Sequence, residues 1–147
     1  MKITILAIGK LKEKYLVEAV AEYVKRLKIY TKIDIVEIPE CRTVDEECDK
    51  LSAHVPKDSW TCVLDVFGEM ITSEQLADKI SKLTLKGHSS LTFVIGGAFG
   101  INDKIRSTAD FCLSLSKMTF THQMTRLILI EQIYRAFKIN RGEKYHW

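Results

Sequence analysis

Proline is nearly absent from this chain: Pro39 and Pro56 are the only two in 147 residues. Glycine is scarce as well, at seven residues, which excludes a collagen-like or low-complexity chain. No apolar run approaches the roughly 20 residues that a bilayer-crossing helix needs. The opening apolar stretch, residues 3–8, is too short for a signal-peptide core and lacks a cleavage site, so it reads as a strand. The four cysteines, Cys41, Cys48, Cys62 and Cys112, include no C-x-x-C pair. No histidine stands at metal-ligand spacing from them, which argues against a zinc or redox centre. Cys62 and Cys112 fall in strand-like runs and read as small core residues. Cys41 and Cys48 are spaced to share one helix face.

What is present is globular. Hydrophobic residues make up 46% and charged residues 28%, too apolar a mixture for disorder. At roughly 150 residues per domain the length predicts one domain over 1–147. A domain of that size buries roughly 70% of its unfolded surface and needs no disulfide or metal staple. The expectation is a soluble, cytoplasmic protein with no metal. The net charge of +3 is unevenly spread. Residues 10–32 and 117–147 are each basic by four charges, and residues 33–116 are acidic by six. Two basic segments around an acidic middle build either one positive face for a polyanion or two solvated helix faces.

The apolar pattern alternates strands and helices. Strands are predicted at 2–8, 33–38, 60–67, 91–95 and 111–115. Over 11–30 the apolar side chains recur on two adjacent i,i+4 ridges, Leu11, Tyr15, Ala19, Tyr23, Leu27 beside Leu16, Val20, Val24, which predicts an amphipathic helix. A weak acidic helix is expected over 42–54, ended by Pro56. Thr72 followed by Gln75 forms a capping-box pattern that opens a helix to about residue 83. A long helix is predicted over 122–139. The order implies an α/β fold, a mostly parallel sheet with helices on both faces. Beyond its first turn the last helix has few polar positions: Glu131, Gln132, Arg135 and Lys138. So narrow a polar stripe needs cover on two sides, one from the sheet and one from a second subunit, giving a homodimer.

Three segments carry chemistry. Gly96-Gly97-Ala98-Phe99-Gly100 follows the fourth strand, where glycines allow a sharp turn and close backbone approach to a ligand. It is neither a dinucleotide fingerprint nor a P-loop. Leu115-Ser116-Lys117-Met118-Thr119-Phe120-Thr121-His122-Gln123 offers backbone N–H groups, an apolar wall and a histidine at a helix start. It suits a neutral ligand with an aromatic ring better than a phosphate, although His122 also reads as an ordinary first-turn residue. Residues 140–147, NRGEKYHW, place Arg, Lys, Tyr, His and Trp in eight positions. These side chains can hold phosphate, stack on bases or move a proton; a plain exposed tail is the alternative.

In this order the segments KITILAIGKLKEKY, FVIGGAFG, LSLSKMTFTHQMTRLILIEQIYRAFKI and RGEKYH resemble the RlmH family of SPOUT methyltransferases, over essentially the whole chain. The resemblance implies an α/β trefoil knot in the C-terminal half, a tight homodimer and S-adenosylmethionine bound bent among three loops. Carried over, the cofactor-binding residues are Leu64, Gly96, Leu115, Ser116, Lys117, Met118, Thr119 and Phe120. The implied reaction is methylation of N3 of a pseudouridine in 23S ribosomal RNA, on the assembled ribosome and without a metal. For orienting the base and handling its proton the expected catalytic residues are Arg135, Tyr145 and His146, with His122 nearby; histidine suits proton transfer near neutral pH. Lys12, Lys14, Lys25, Arg26 and Lys28 are expected to meet RNA phosphates.

The chain departs from the family pattern in three places. Thr121 stands where the family usually has proline, Trp147 stands where it usually ends in a basic residue, and the region 41–58 is shorter. The shortening is expected to lie far from the ligand loops. The competing expectations are a SPOUT methyltransferase of another RNA position and a ribosome-binding protein without catalysis. A nucleotide-binding redox protein would need a fingerprint and a cysteine pair that the chain lacks.

Overall fold

The computed structural model describes residues 1–145 of the chain. Its elements in order are β1 (Lys2–Ile8), α1 (Lys14–Leu27), β2 (Lys32–Ile38), α2 (Val44–His54), β3 (Trp60–Met70), α3 (Ser73–Leu85), β4 (Ser90–Ile95), α4 (Asp103–Thr108), β5 (Phe111–Ser114) and α5 (His122–Asn140). The five strands form one sheet in the order β2-β1-β4-β3-β5, and every pairing between them is parallel.

Alternate side chains of each strand feed two cores. Ile3, Ile5, Ala7, Leu91, Phe93 and Ile95 face a core closed by Val20 and Leu27 of α1, Leu76 and Ile80 of α3, and Leu129, Ile130 and Ile133 of α5. Leu6, Ile8, Val63 and Val94 face the opposite side, where Cys48 and Leu51 of α2 and Ile105 of α4 cover them. Strands sandwiched this way must be apolar on both faces, which is why β1 and β4 read as near-continuous apolar runs. Burial of each large aliphatic side chain contributes about 1.5–3 kcal/mol.

Local signals place the helix starts. The Thr72 hydroxyl accepts the Gln75 N–H, and the Gln75 side chain returns to the Thr72 N–H. Thr43 caps α2, whose first turn carries Asp45, Glu46 and Glu47, where the helix dipole favours acids. Thr121 caps α5 by accepting the Met124 N–H at 3.2 Å.

Several expectations need correction. The first helix does not begin at residue 11. The Leu11 N–H is taken by Glu37 Oε2 and the Lys12 N–H by Gln123 Oε1, each at 3.0 Å, so side-chain acceptors hold residues 11–13 out of the helix. Tyr15 lies outside the core at 64% exposure. The six-residue α4 was not foreseen; it is too short for periodicity to reveal and is nucleated by Asn102, whose side chain accepts the Ile105 N–H. Cys41 shares no face with Cys48, because α2 begins at Val44. Strand β3 runs on to Met70 and breaks register: Leu64 and Glu69 both stand opposite Leu113. Residues 65–68 therefore bulge from the ladder. Gly68 sits where a Cβ would lie 2.6 Å from the Cys112 carbonyl oxygen, so only glycine fits there.

Among the described residues no helix is long and apolar enough to cross a membrane.

Candidate functional site

Parallel strands end on one rim, and there the β3 bulge and the loops leaving β4 and β5 line a cavity of about 550 Å³. Crevices at the carboxyl ends of parallel strands are the usual ligand sites of such sheets, and this volume is ordinary for a small-molecule site. Of the eight residues expected to bind a cofactor, seven line it: Leu64, Gly96, Leu115, Ser116, Met118, Thr119 and Phe120. Lys117 does not; it is exposed and belongs to the outer side of the same loop. His122 lines the cavity from the first turn of α5.

Each wall has a local cause. The glycine turn is closed by the Gly100 N–H donating to the Gly97 carbonyl at 3.0 Å. A Cβ on Gly96 would lie 2.5 Å from the Gly100 carbonyl oxygen, so any larger residue there would force the turn out of this shape. In the third loop the Ser116 hydroxyl accepts the Met118 N–H, and the Ser114 hydroxyl donates to the Ser116 carbonyl, both at 3.0 Å. These bonds turn Met118 and Phe120 outward to 75% and 43% exposure. With Phe67 at 85% and Phe99 at 59% they give the cavity an apolar rim.

The sequence reading missed the cavity's ion pair. Asp65, in the β3 bulge, accepts the Phe67 N–H at 3.1 Å with one carboxylate oxygen and the Arg106 Nε–H at 2.7 Å with the other. Arg106 also donates to Asp103 at 2.7 Å. The hydrogen bond to Asp65 holds the Arg106 guanidinium above its ordinary pKa. This pair ties the β3 bulge to α4, in the segment after β4. An aspartate directly after the last apolar residue of a buried parallel strand was the available signal.

The region 41–58 is not remote from the cavity, contrary to expectation. Glu47 of α2 is 1% exposed, and its Oε1 would lie 3.1 Å from a Cβ on Gly97. Asp45 accepts from the Asn102 side chain at 2.9 Å, and Asp49 lies 3.6 Å from Lys104. Helix α2 thus backs the glycine turn on the side away from the cavity.

Arg135 and Tyr145 form a second cluster, outside the cavity lining. Tyr145 Oη lies 3.3 Å from Tyr23 Oη and 3.1 Å from Glu131 Oε1, and its ring meets that of Tyr134 edge-on at 5.0 Å. Arg135 pairs with Glu131 at 2.6 Å and lies over the Tyr145 ring at 4.8 Å. Burial, with the hydrogen bond to Tyr23 and the charge of Glu131 behind it, pushes the Tyr145 phenol up, so it stays protonated at neutral pH. The tail is seated by Glu143, which accepts from Tyr30 Oη at 2.9 Å and pairs with Lys138. The expected catalytic residue His146, and Trp147, lie outside the described residues. Among the described residues no three His, Cys, Asp or Glu side chains gather as a metal would require.

Comparison with known proteins places this geometry in context. The family model described as "Predicted SPOUT methyltransferase" matches residues 1–146. A Halothermothrix orenii protein named ribosomal RNA large subunit methyltransferase H is 48% identical over 158 residues, covering 99% of both chains. A Methanococcus maripaludis protein provisionally given the same name is 45% identical, again covering 99% of each. Both alignments are longer than this chain's 147 residues, so the relatives contain positions with no counterpart here. The solved structure titled as a probable methylase family protein from Haemophilus influenzae Rd KW20 covers 99% of this chain and 70% of its own, with a TM-score of 0.56 and 12% identity. That likeness is one of fold.

Proposed function

Because the chain belongs to the SPOUT methyltransferase family, we propose that it transfers a methyl group from S-adenosylmethionine to large-subunit ribosomal RNA, at N3 of a pseudouridine in 23S rRNA. We propose further that it acts on the assembled ribosome in the cytoplasm, as a single-domain, trefoil-knotted homodimer. The observation that carries the reading is the cavity itself: it gathers the residues that the family pattern assigns to the donor, in a fold that nearly full-length relatives share.

The residues fit such a donor. The cavity is large enough for a nucleoside with an amino-acid arm, its rim is apolar and aromatic, and its glycine turn leaves backbone bare for close approach. Leu64, Gly96 and Leu115 to Phe120, except Lys117, would hold it. When bound, S-adenosylmethionine supplies a methyl group activated on a sulfonium, so the protein's task is alignment and charge.

N3 of pseudouridine carries a proton between two carbonyls, and it becomes nucleophilic as that proton leaves. Arg135, kept charged by Glu131, offers the positive neighbour that favours the resulting anion. Tyr145, held protonated, is suited to donate a hydrogen bond to a base carbonyl. His122 at the cavity and His146 in the tail are the two imidazoles available to the N3 proton. Arg135 and Tyr145 pack on α1 and α5 rather than around the cavity of their own protomer. This supports a site shared across the dimer, in which one protomer's tail faces its partner's cavity. The half-buried apolar side chains of α5, Leu127, Phe137 and Ile139 among them, support the same pairing.

The test is methyl incorporation from labelled S-adenosylmethionine into intact ribosomes, separated subunits and naked RNA, with the modified nucleotide located by mass spectrometry of a digest. The reading expects label on one pseudouridine of the large-subunit RNA. Label elsewhere, or none in any preparation, contradicts it.

A further inference from the structure

We infer that the segment running from the end of β1 into the first residue of α1, carrying Lys10, Lys12 and Lys14, is a binding surface for the RNA phosphate backbone, clasped to the mouth of the cavity by the first turns of α5. This rests on the ribosomal RNA reading above and adds to it where the RNA lies.

The segment is a loop only because its backbone is tied down. The Lys12 N–H donates to Gln123 Oε1 at 3.0 Å. Arg126, which is fully buried, donates to the Gly9 carbonyl at 3.0 Å and to Glu37 at 2.6 Å. Glu37 in turn accepts the Leu11 N–H at 3.0 Å. Gln123 and Arg126 flank Thr125 and follow His122, both of which line the cavity. One short stretch of α5 therefore fixes the cavity lip and the lysine loop together.

The side chains are left free while the backbone is held. Lys10 and Lys12 are exposed and have no carboxylate within 4.0 Å among the described residues; Lys14 has only Glu18, at 3.7 Å. Glu13 is the one acid in the segment, leaving it net basic. Tyr15, next in sequence to Lys14, adds an exposed ring to the segment at 64% exposure. Rigid backbone, free cations and an exposed ring suit a polyanion with stackable bases. The other basic residues of α1 are worse placed. Lys25 begins roughly 16 Å further along the helix axis, and Arg26 is engaged by Glu22 and the Tyr23 ring.

The experiment compares wild type with a K10Q/K12Q/K14Q variant, a K25Q/K28Q variant and a K57Q/K86Q variant, whose lysines precede β3 and β4 on the opposite rim of the sheet. Binding to large ribosomal subunits is measured across a salt series, and binding of S-adenosylhomocysteine by calorimetry. The triple variant is expected to lose about tenfold or more in RNA affinity at low salt and to flatten the salt slope by about 2–3. Its S-adenosylhomocysteine affinity should stay at the wild-type value, and K57Q/K86Q should match wild type throughout. Gln123→Ala should weaken RNA binding a few-fold with the slope intact, because it frees the loop without removing charge. A triple variant with wild-type affinity and slope, or a larger loss in K25Q/K28Q, overturns the inference. Wild type that binds neither subunits nor S-adenosylhomocysteine overturns the functional reading instead.

Discussion

The hydroxyl of Tyr145 lies 3.1 Å from Oε1 of Glu131, fourteen residues earlier in the chain. That contact turns the C-terminal tail back along α5, and the same carboxylate oxygen also holds Arg135 at 2.6 Å. A phenol, a carboxylate and a guanidinium are thus locked together away from the cavity that would hold the donor. In the proposed enzyme this cluster is the half of the active site that a protomer presents to its partner.

Tyr145→Phe removes the hydroxyl and leaves the ring against Tyr134 and under Arg135. The stability cost should be about 1 kcal/mol, one partly buried hydrogen-bonding group. Methyl transfer should fall by about tenfold or more, the size expected for losing a charge-directing hydrogen bond in a transition state. Because the wild-type phenol stays protonated well past neutrality, the shape of the rate profile between pH 6 and about pH 9 should be the same in both proteins. Thermal unfolding and rate profiles check the two halves.

Glu143 seats the tail through Lys138 and Tyr30, and the bond to Lys138 lowers its pKa below the ordinary carboxylate range. A group depressed in the folded state contributes fully above its unfolded value and loses that contribution as pH falls through the lowered one. The tail should stay seated at neutral pH and loosen below about pH 4. Glu143→Gln should loosen it at every pH. Proteolytic susceptibility of the last residues, followed against pH, reads this directly.

Asp65 is 5% exposed as a side chain, and Arg106 is its only cationic partner among the described residues. Arg106→Gln leaves that carboxylate buried beside a neutral group, at a cost of about 1–3 kcal/mol. The larger effect should be on the cavity, because the pair joins the β3 bulge to α4 and both residues line it. Affinity for S-adenosylhomocysteine should fall several-fold, with partial recovery in Arg106→Lys. Calorimetry together with a melting curve separates the loss of the strut from general unfolding.

Gly96→Ala forces a Cβ to within 2.5 Å of the Gly100 backbone oxygen, so the turn itself must shift. Donor binding should be abolished. Gly87→Ala, at a turn with a positive φ and open space, should cost about 1 kcal/mol and leave binding intact. Equal binding in the two variants would contradict the role given to the glycine turn.

Most of this architecture was legible because it rests on local rules. Thr72 and Gln75 announced α3, the unbroken apolar run of β4 announced a strand covered on both faces, and the glycines after β4 announced the sharp turn that lines the cavity. The unreadable parts depend on contacts distant in sequence. Residues 11–13 fit a helical pattern and are pulled from it by Glu37 and Gln123. The β3 bulge comes from two residues sharing one partner across the ladder. Asp65 and Arg106 are 41 residues apart and meet only in the folded sheet. Glu47 reaches the back of the glycine turn from a helix whose own sequence carries no hint of the contact.

The most direct test of a donor cavity in one protomer served by the tail of the other is complementation between two variants impaired in different halves of the site. Gly96→Ala and Tyr145→Phe proteins are mixed one to one, exchanged into mixed dimers, and assayed for methyl transfer to large-subunit RNA. A shared site predicts recovery toward about a quarter of wild-type activity, since half the dimers are mixed and each of those has one intact pair of halves. Activity no higher than the sum of the two separate variants would contradict the account.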